Sequence, residues 1–324
     1  MFDVVALGEI LIDFTPAGTS PNGNVLFERN PGGAPANVLA AVRRLGGAAA
    51  FLGMVGEDAF GAYLRTVLED LGIDARGLCA TKKADTTLAF VHLDAKGDRS
   101  FSFYRRPGAD TQLAVQNLDK SVIDEGRIFH FGSLSLTAEP SRSATLAAAA
   151  QARSKGLLVS YDPNWRPPLW QNDGAAKVGM QSGLPFADIL KVSETEMEFL
   201  TGETDLEAGS AKLFDADRTL VLVTLGPKGC FFRTAQGTGR VAAYDTAVVD
   251  TTGAGDAFLG AFLYRVAKLD ARLEDLGTDG IAELADFASA AGSLCASRRG
   301  AIPGMPHLAD VERCRREIPK LIVA

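Results

Sequence analysis

The chain has 324 residues, 47% of them hydrophobic, and its 33 Lys and Arg against 40 Asp and Glu leave a formal charge of -7. That size supports a full core in one large α/β domain or two smaller ones, and the acidic balance argues against nucleic acid or an anionic membrane surface as a partner. An anionic substrate must therefore be met locally, by a helix N-terminus, an isolated Arg or a divalent cation.

In chain order, an apolar run at 4–7 ends at Gly8 and reads as a buried strand. Beyond it Gly8-Glu9-Ile10-Leu11-Ile12-Asp13 ends in a carboxylate suited to accepting from vicinal hydroxyls; Asp13 alone equally fits a solvated strand end. Gly32-Gly33-Ala34-Pro35-Ala36-Asn37 then opens a helix, with Val38, Leu39, Val42 and Leu45 at helical spacing. Its two glycines permit close backbone approach, and Asn37 offers a polyol both donor and acceptor. Residues 49–55 read as the next strand, and Tyr63, Val67, Leu68 and Leu71 mark an amphipathic helix closed by Gly72. Strands at 128–132, 157–161, 189–192 and 220–225 continue the alternation, with an Ala-rich helix at 145–152. Continuous apolar strands separated by helices predict an open, mostly parallel sheet covered on both faces.

Two stretches break that pattern. Residues 88–94 and 99–105, joined by 95–98, read as a hairpin in which Phe101 and Phe103 alternate with Ser100 and Ser102. Residues 10–15 and 25–29 read as two more exposed strands. The four make a small second sheet, from about 10–30 and 86–106, whose apolar side must cover a substrate, a second subunit or both. No linker divides the chain, so 1–324 reads as a single domain.

The stretch with the most chemistry is Val249-Asp250-Thr251-Thr252-Gly253-Ala254-Gly255-Asp256-Ala257-Phe258. Bare backbone N–H groups at a helix start, with the positive end of the helix dipole, favour an anion, and Gly253 and Gly255 let it come close. Asp256 in the first turn would repel a phosphate, yet it is well placed to take a proton from a hydroxyl attacking one. The residues after it, 257–266, are apolar nearly all round and predict a buried helix. Read alone, the same stretch also describes an ordinary glycine turn before a helix. There is no Gly-x-x-x-x-Gly-Lys-[Ser/Thr], no third glycine of a dinucleotide fingerprint, no Gly-x-Ser-x-Gly and no His-Glu-x-x-His. Cys79, Cys230, Cys295 and Cys314 are scattered and read as reduced thiols in a cytoplasmic protein. His92, His130 and His307 lie far apart and read as structural. No apolar run approaches the roughly 20 residues of a membrane helix, so no membrane partner is expected.

Asp250-Thr-Thr-Gly-Ala-Gly-Asp256-Ala-Phe and Gly32-Gly-Ala-Pro-Ala-Asn37 resemble the two signatures of the ribokinase, or pfkB, family of carbohydrate kinases, in family order over nearly the whole chain. Gly8-Glu-Ile-Leu-Ile-Asp13-Phe, Phe101-Ser-Phe-Tyr-Arg105, His130-Phe-Gly-Ser-Leu-Ser and Ser160-Tyr-Asp-Pro-Asn164-Trp-Arg166 are most similar to its fructokinases. The resemblance implies a ribokinase-like α/β domain with a β lid closing over the sugar. It implies that Asp256 is the catalytic base and that the N–H groups of Gly253, Ala254 and Gly255 form an anion hole. Sugar contacts are implied for Asp13, Gly32, Gly33, Asn37, Phe103, Arg105 and Arg166. ATP contacts are implied for Asn164, Lys191, Ser193, Glu196, Thr224, Gly226, Gly229, Gly255 and Ser289, with Ser193 and Ser289 standing where many relatives carry Asn. Asn164 and Glu196 would reach Mg2+ through water. The carbonyls of Asp250 and Thr252, with the loop of Arg298 and Gly300, would hold K+. The activity so implied is ATP-dependent phosphorylation of fructose at its 6-hydroxyl. Separately, a lid strand whose apolar side, with Phe101 and Phe103, is covered by another subunit predicts a homodimer built lid to lid. The alternatives are a 2-keto-3-deoxygluconate kinase, whose substrate carboxylate would meet Arg105 or Arg166, a nucleoside kinase, and a non-catalytic sugar-binding relative.

Overall fold

Alternate residues of the central strands enter two different cores, which is why these strands are apolar at every position. A computed structural model describes residues 1–93, 99–215 and 218–322, with the backbone alone at 93 and 99–101. The hairpin turn expected at 95–98 and the side chain of Phe101 lie outside the described residues.

In chain order the strands are β1 (Phe2–Leu7), β2 (Leu11–Thr19), β3 (Val25–Gly32), β4 (Ala49–Gly56), β5 (Asp74–Thr81), β6 (Leu88–Leu93), β7 (Arg99–Tyr104), β8 (Gly126–Gly132), β9 (Leu158–Asp162), β10 (Ile189–Ser193), β11 (Leu220–Thr224), β12 (Cys230–Thr234) and β13 (Gly237–Val241). Nine form one sheet in the order β13-β12-β11-β10-β9-β8-β1-β4-β5. Neighbours from β11 to β5 are parallel, and β12 and β13 add an antiparallel margin. Val4 and Ala6 of β1 pack with the helices Ala34–Arg44, Ala254–Ala267 and Thr278–Ala296, while Val5 and Leu7 pack with Ser141–Ser154, Asp173–Gly183 and Glu194–Thr201. Parallel strands need such crossover helices, and the helices bury the sheet on both sides.

Strands at 74–81, 230–234 and 237–241 have no counterpart in the sequence reading. They lie toward the two margins of the sheet, where covering is incomplete at 74–81 and 237–241. β13 is half exposed and β5 interrupts its apolar residues with Asp74, Arg76 and Gly77. The pattern there lacks both a clean alternation and a continuous run.

The small sheet has the order β3-β2-β6-β7. It grows straight from the carboxyl end of β1, because residues 8–10 lead directly into β2. Its base is not exposed, as the sequence had suggested: Ile10, Leu11 and Ile12 are 1%, 5% and 0% accessible, and Ile10 and Ile12 join the main core. Register then assigns the faces. Phe14 pairs with Phe90 across β2 and β6 and their rings stack at 4.8 Å, with Phe27 and Tyr104 edge-on to Phe90. The apolar outer face is thus Phe14, Phe27, Phe90 and Tyr104. Phe103 belongs to the opposite, inward face with Asp13, so it is not the outward apolar residue the hairpin pattern suggested.

Candidate active site

The helix Ala254–Ala267 starts three residues earlier than its apolar pattern indicates, with Gly253 as its N-cap at φ 78°. A Cβ on Gly253 would lie 2.7 Å from Cβ of Ala301, so both backbone hand and space require glycine. The N–H of Gly255 lies among the first turn's donors, which have no intrahelical acceptor. Ala254 departs from the expected anion hole: its N–H donates to the Thr251 carbonyl at 3.2 Å, closing the turn that leads into the helix.

Asp256 projects from this first turn and is buried. Asn37 Nδ2 donates to its Oδ2 at 2.8 Å, across 219 residues of chain. Burial pushes the Asp256 carboxyl above the usual range, against the pull of the Asn37 hydrogen bond; Asp162 adds to the rise, and Lys191 and Arg166 oppose it.

A cleft of about 510 Å³ opens in front of Asp256, lined by Glu9, Asp13, Gly33, Asn37, Phe103 and Arg166 among others. Burial there pushes the Asp13 carboxyl up to about 7, opposed by the charge of Arg166. Gly32 is not on the lining; its part is to lack a side chain, since a Cβ there would fall 2.1 Å from Asp13 Oδ2. Arg166 is half buried and donates to the Trp165 carbonyl at 3.1 Å.

Arg105 does not reach the cleft as a sugar contact. Its side chain is 5% exposed and tied to Asp110, with Nε at 2.8 Å and Nη2 at 2.6 Å, and its remaining donors go to Thr137 Oγ1 and the Leu134 carbonyl. The guanidinium is a pin between the lid and the turn after it.

A second cleft of about 480 Å³ is lined by Thr224, Gly226, Gly229, Ser289, Tyr244 and Phe258 with other residues, and it shares Thr251 and Gly255 with the first. The other residues expected to meet ATP divide differently. Asn164 and Lys191 line the first cleft. Lys191 Nζ is paired with Asp162 Oδ2 at 2.8 Å, both side chains buried, and lies 3.2 Å from where a Cβ on Gly255 would stand. Asn164, at φ 47°, donates its N–H to the other oxygen of Asp162. Ser193 and Glu196 line neither cleft. They form a capping box, and Glu196 also accepts the Trp165 N–H at 2.6 Å, which fixes the loop bearing Asn164 and Arg166.

Asp250 ties two loops together: Oδ1 accepts the Thr252 N–H at 2.8 Å and Oδ2 the Gly300 N–H at 3.1 Å. Arg298 pairs with Asp310 at 3.0 Å, so only its backbone is available to a cation. The sequence reading passed over Glu9 and Asp162. Asp162 stands in the quoted Ser160-Tyr-Asp-Pro-Asn164 run, and its place at the carboxyl end of a parallel strand was the available signal.

A raised, oriented carboxylate facing one cleft, beside a helix N-terminus shared with another, suits transfer of a phosphoryl group from a ligand in the second to a hydroxyl in the first. The sequence model described as pfkB family carbohydrate kinase matches residues 1–308. The chain is 43% identical to probable fructokinase-5 of Arabidopsis thaliana over 98% of both proteins. It superposes on the fructokinase of Xylella fastidiosa with bound ATP at a TM-score of 0.91, with 36% identity over 98% of this chain and 99% of that one. It also matches a double mutant of the Vibrio cholerae O395 fructokinase in its fructose-, ADP- and potassium-bound form, at a TM-score of 0.87 and 34% identity over 96% and 97% of the two chains.

Proposed function

The chain belongs to the pfkB family of carbohydrate kinases, and from that premise we propose that it transfers the γ-phosphoryl group of ATP to the 6-hydroxyl of fructose. The observation that carries this reading is the meeting of two clefts at Thr251 and Gly255 with the buried carboxylate of Asp256 beside the junction. Asp256 takes the hydroxyl proton as the new O–P bond forms and the bond to ADP breaks, and the N–H groups at the helix start receive the charge of the transferred group. Asp13 and Asn37 offer hydrogen bonds to neighbouring sugar hydroxyls, and Phe103 covers the ring from the lid. Gly226, Gly229, Thr224 and Ser289 would flank the nucleotide.

Among the described residues no three His, Cys, Asp or Glu side chains form a metal cage. Asp162 and Glu196 are carboxylates already committed to Lys191 and to backbone N–H groups, which suits a Mg2+ ion carried by phosphate oxygens and water. That ion would neutralise phosphate charge, with Asn164 and Glu196 reached through its waters. A K+ ion would take the carbonyls of Asp250 and Thr252 and the backbone of 298–300, because Asp250 draws these two loops together. We place the protein in the cytoplasm on its four free thiols; no helix of the described residues is long and apolar enough to cross a membrane.

A neutral ketose needs no charge partner, whereas Arg166 on the cleft wall favours a second reading, a sugar acid such as 2-keto-3-deoxygluconate. With Arg105 spent on Asp110, only one of the two arginines considered for that carboxylate is left. Measured with ATP, kcat/KM should be highest for fructose among fructose, 2-keto-3-deoxygluconate, ribose and adenosine. If the acid exceeds fructose by tenfold or more, the second reading holds, and Arg166→Ala should then harm the acid far more than the ketose. No turnover with any of them would favour a non-catalytic sugar binder.

The outer lid face supports a homodimer formed lid to lid. Tyr104 is 66% exposed and Phe27 39%, both against Phe90, and part of the same sheet is already covered by Phe60 and by Tyr63 under Arg29. Light scattering should give twice the chain mass at working concentration. A fully active monomer would remove the dimer.

A further inference from the structure

Glu9 stands in the link from β1 to β2 and is 3% exposed. Its Oε1 accepts the Ala34 N–H at 2.9 Å, at the start of the helix Ala34–Arg44. Its Oε2 is buried without a hydrogen-bond partner, and so is Oδ1 of Asn37, the atom opposite the Nδ2 that binds the base. Both residues line the sugar cleft. Helical side chains lean toward the N-terminus and residues three apart share a face, so the Asn37 amide leans back over the turn whose N–H holds Glu9. Left bare, each acceptor forfeits its hydrogen bond; one proton placed between them satisfies both.

We propose that Glu9 is held as a neutral carboxylic acid whose Oε2 hydroxyl donates to Asn37 Oδ1, directly or through one water, and thereby fixes the amide with Nδ2 toward Asp256. Glu9 and Asn37 are then positioning residues for the base, and this rests on the reading of Asp256 as that base. An amide turned the other way would set Oδ1 against the carboxylate. The surroundings favour the neutral form: burial pushes the Glu9 carboxyl up to about 7, with Asp110 raising it and its backbone hydrogen bonds and Arg105 lowering it. The charged groups around Asp256 itself are Asp13, Asp162, Lys191 and Arg166, with the Cys295 thiol also within its field. Above about 7 Glu9 loses its proton, the amide loses its donor, and the base loses its alignment.

The test is kcat against pH at saturating sugar and ATP for the wild type and Glu9→Gln. Gln keeps an acceptor for the Ala34 N–H and a donor for Oδ1, with no proton to lose. Wild-type kcat should fall by about tenfold between pH 7 and 9, and the variant should stay within about twofold of its own pH 6 value across the range. The proposal is overturned if Glu9→Gln falls with the wild type, or if it raises the sugar KM and leaves the pH profile unchanged, which would make Glu9 a sugar ligand. A second measurement does not depend on which sugar is used, or on there being turnover. The 13C resonance of the Glu9 carboxyl, identified by its loss in Glu9→Gln, should titrate near 7; titration near 4.5, the ordinary value, rejects the neutral acid.

Discussion

Replacing Asp256 by Asn is expected to lower kcat by about 10²–10⁴-fold while the protein stays folded and the sugar KM changes little. The substitution keeps shape and volume in a buried position and removes the carboxylate proposed to accept the hydroxyl proton. The Asn37 amide still finds an oxygen to donate to, so the local packing has no reason to collapse. Circular dichroism and steady-state kinetics on the same preparation check this, and near-normal turnover by a folded variant would end the assignment. The pH profile should carry the same signature. Because burial raises the Asp256 carboxyl, the base becomes protonated, and activity is lost on the acid side, at a higher pH than an ordinary aspartate would require.

Arg105→Ala should act on stability far more than on sugar binding. It removes one partner of an ion pair in which both side chains are at least nine-tenths buried, leaving the Asp110 carboxylate, among the described residues, with the Thr87 hydroxyl alone. Such a loss costs about 3–5 kcal/mol, since the remaining charge is stranded away from water. The Thr137 hydroxyl loses the Arg105 donor as well, while the Leu134 carbonyl keeps the Thr137 hydroxyl and N–H. Urea unfolding should report the loss, with the sugar KM measured well below the variant's transition changing by less than threefold or so. Unchanged stability with a tenfold rise in sugar KM would return Arg105 to the sugar.

The contrast between these two residues shows what a sequence carries. Asp256 is legible because everything that defines it is local: two glycines, a helix start and an acid in its first turn. Arg105 is not, because its role depends on Asp110 coming round through a turn to meet it. The same holds for Lys191, whose partner Asp162 is 29 residues away on the neighbouring strand and turns it toward the sugar cleft. Alternation in residues 99–105 located a strand but left its two faces unlabelled, and only the pairing of Phe14 with Phe90 shows which side looks outward. The main sheet was readable where both faces are covered, and lost at its margins, where residues obey two environments at once.

The narrowness of the contact between the two clefts bears on how such a protein diversifies. The first cleft draws on residues 9–37, 103, 134, 164–168, 191 and 251–256, the second on 224–229, 243–296 and 321, and the residues lining both are Thr251 and Gly255. Outside the common 251–256 stretch, selection on the acceptor and selection on the donor therefore act on separate portions of the chain. A recombinant that exchanges the segment from β11 onward should carry its donor's nucleotide preference with it and keep its own choice of sugar.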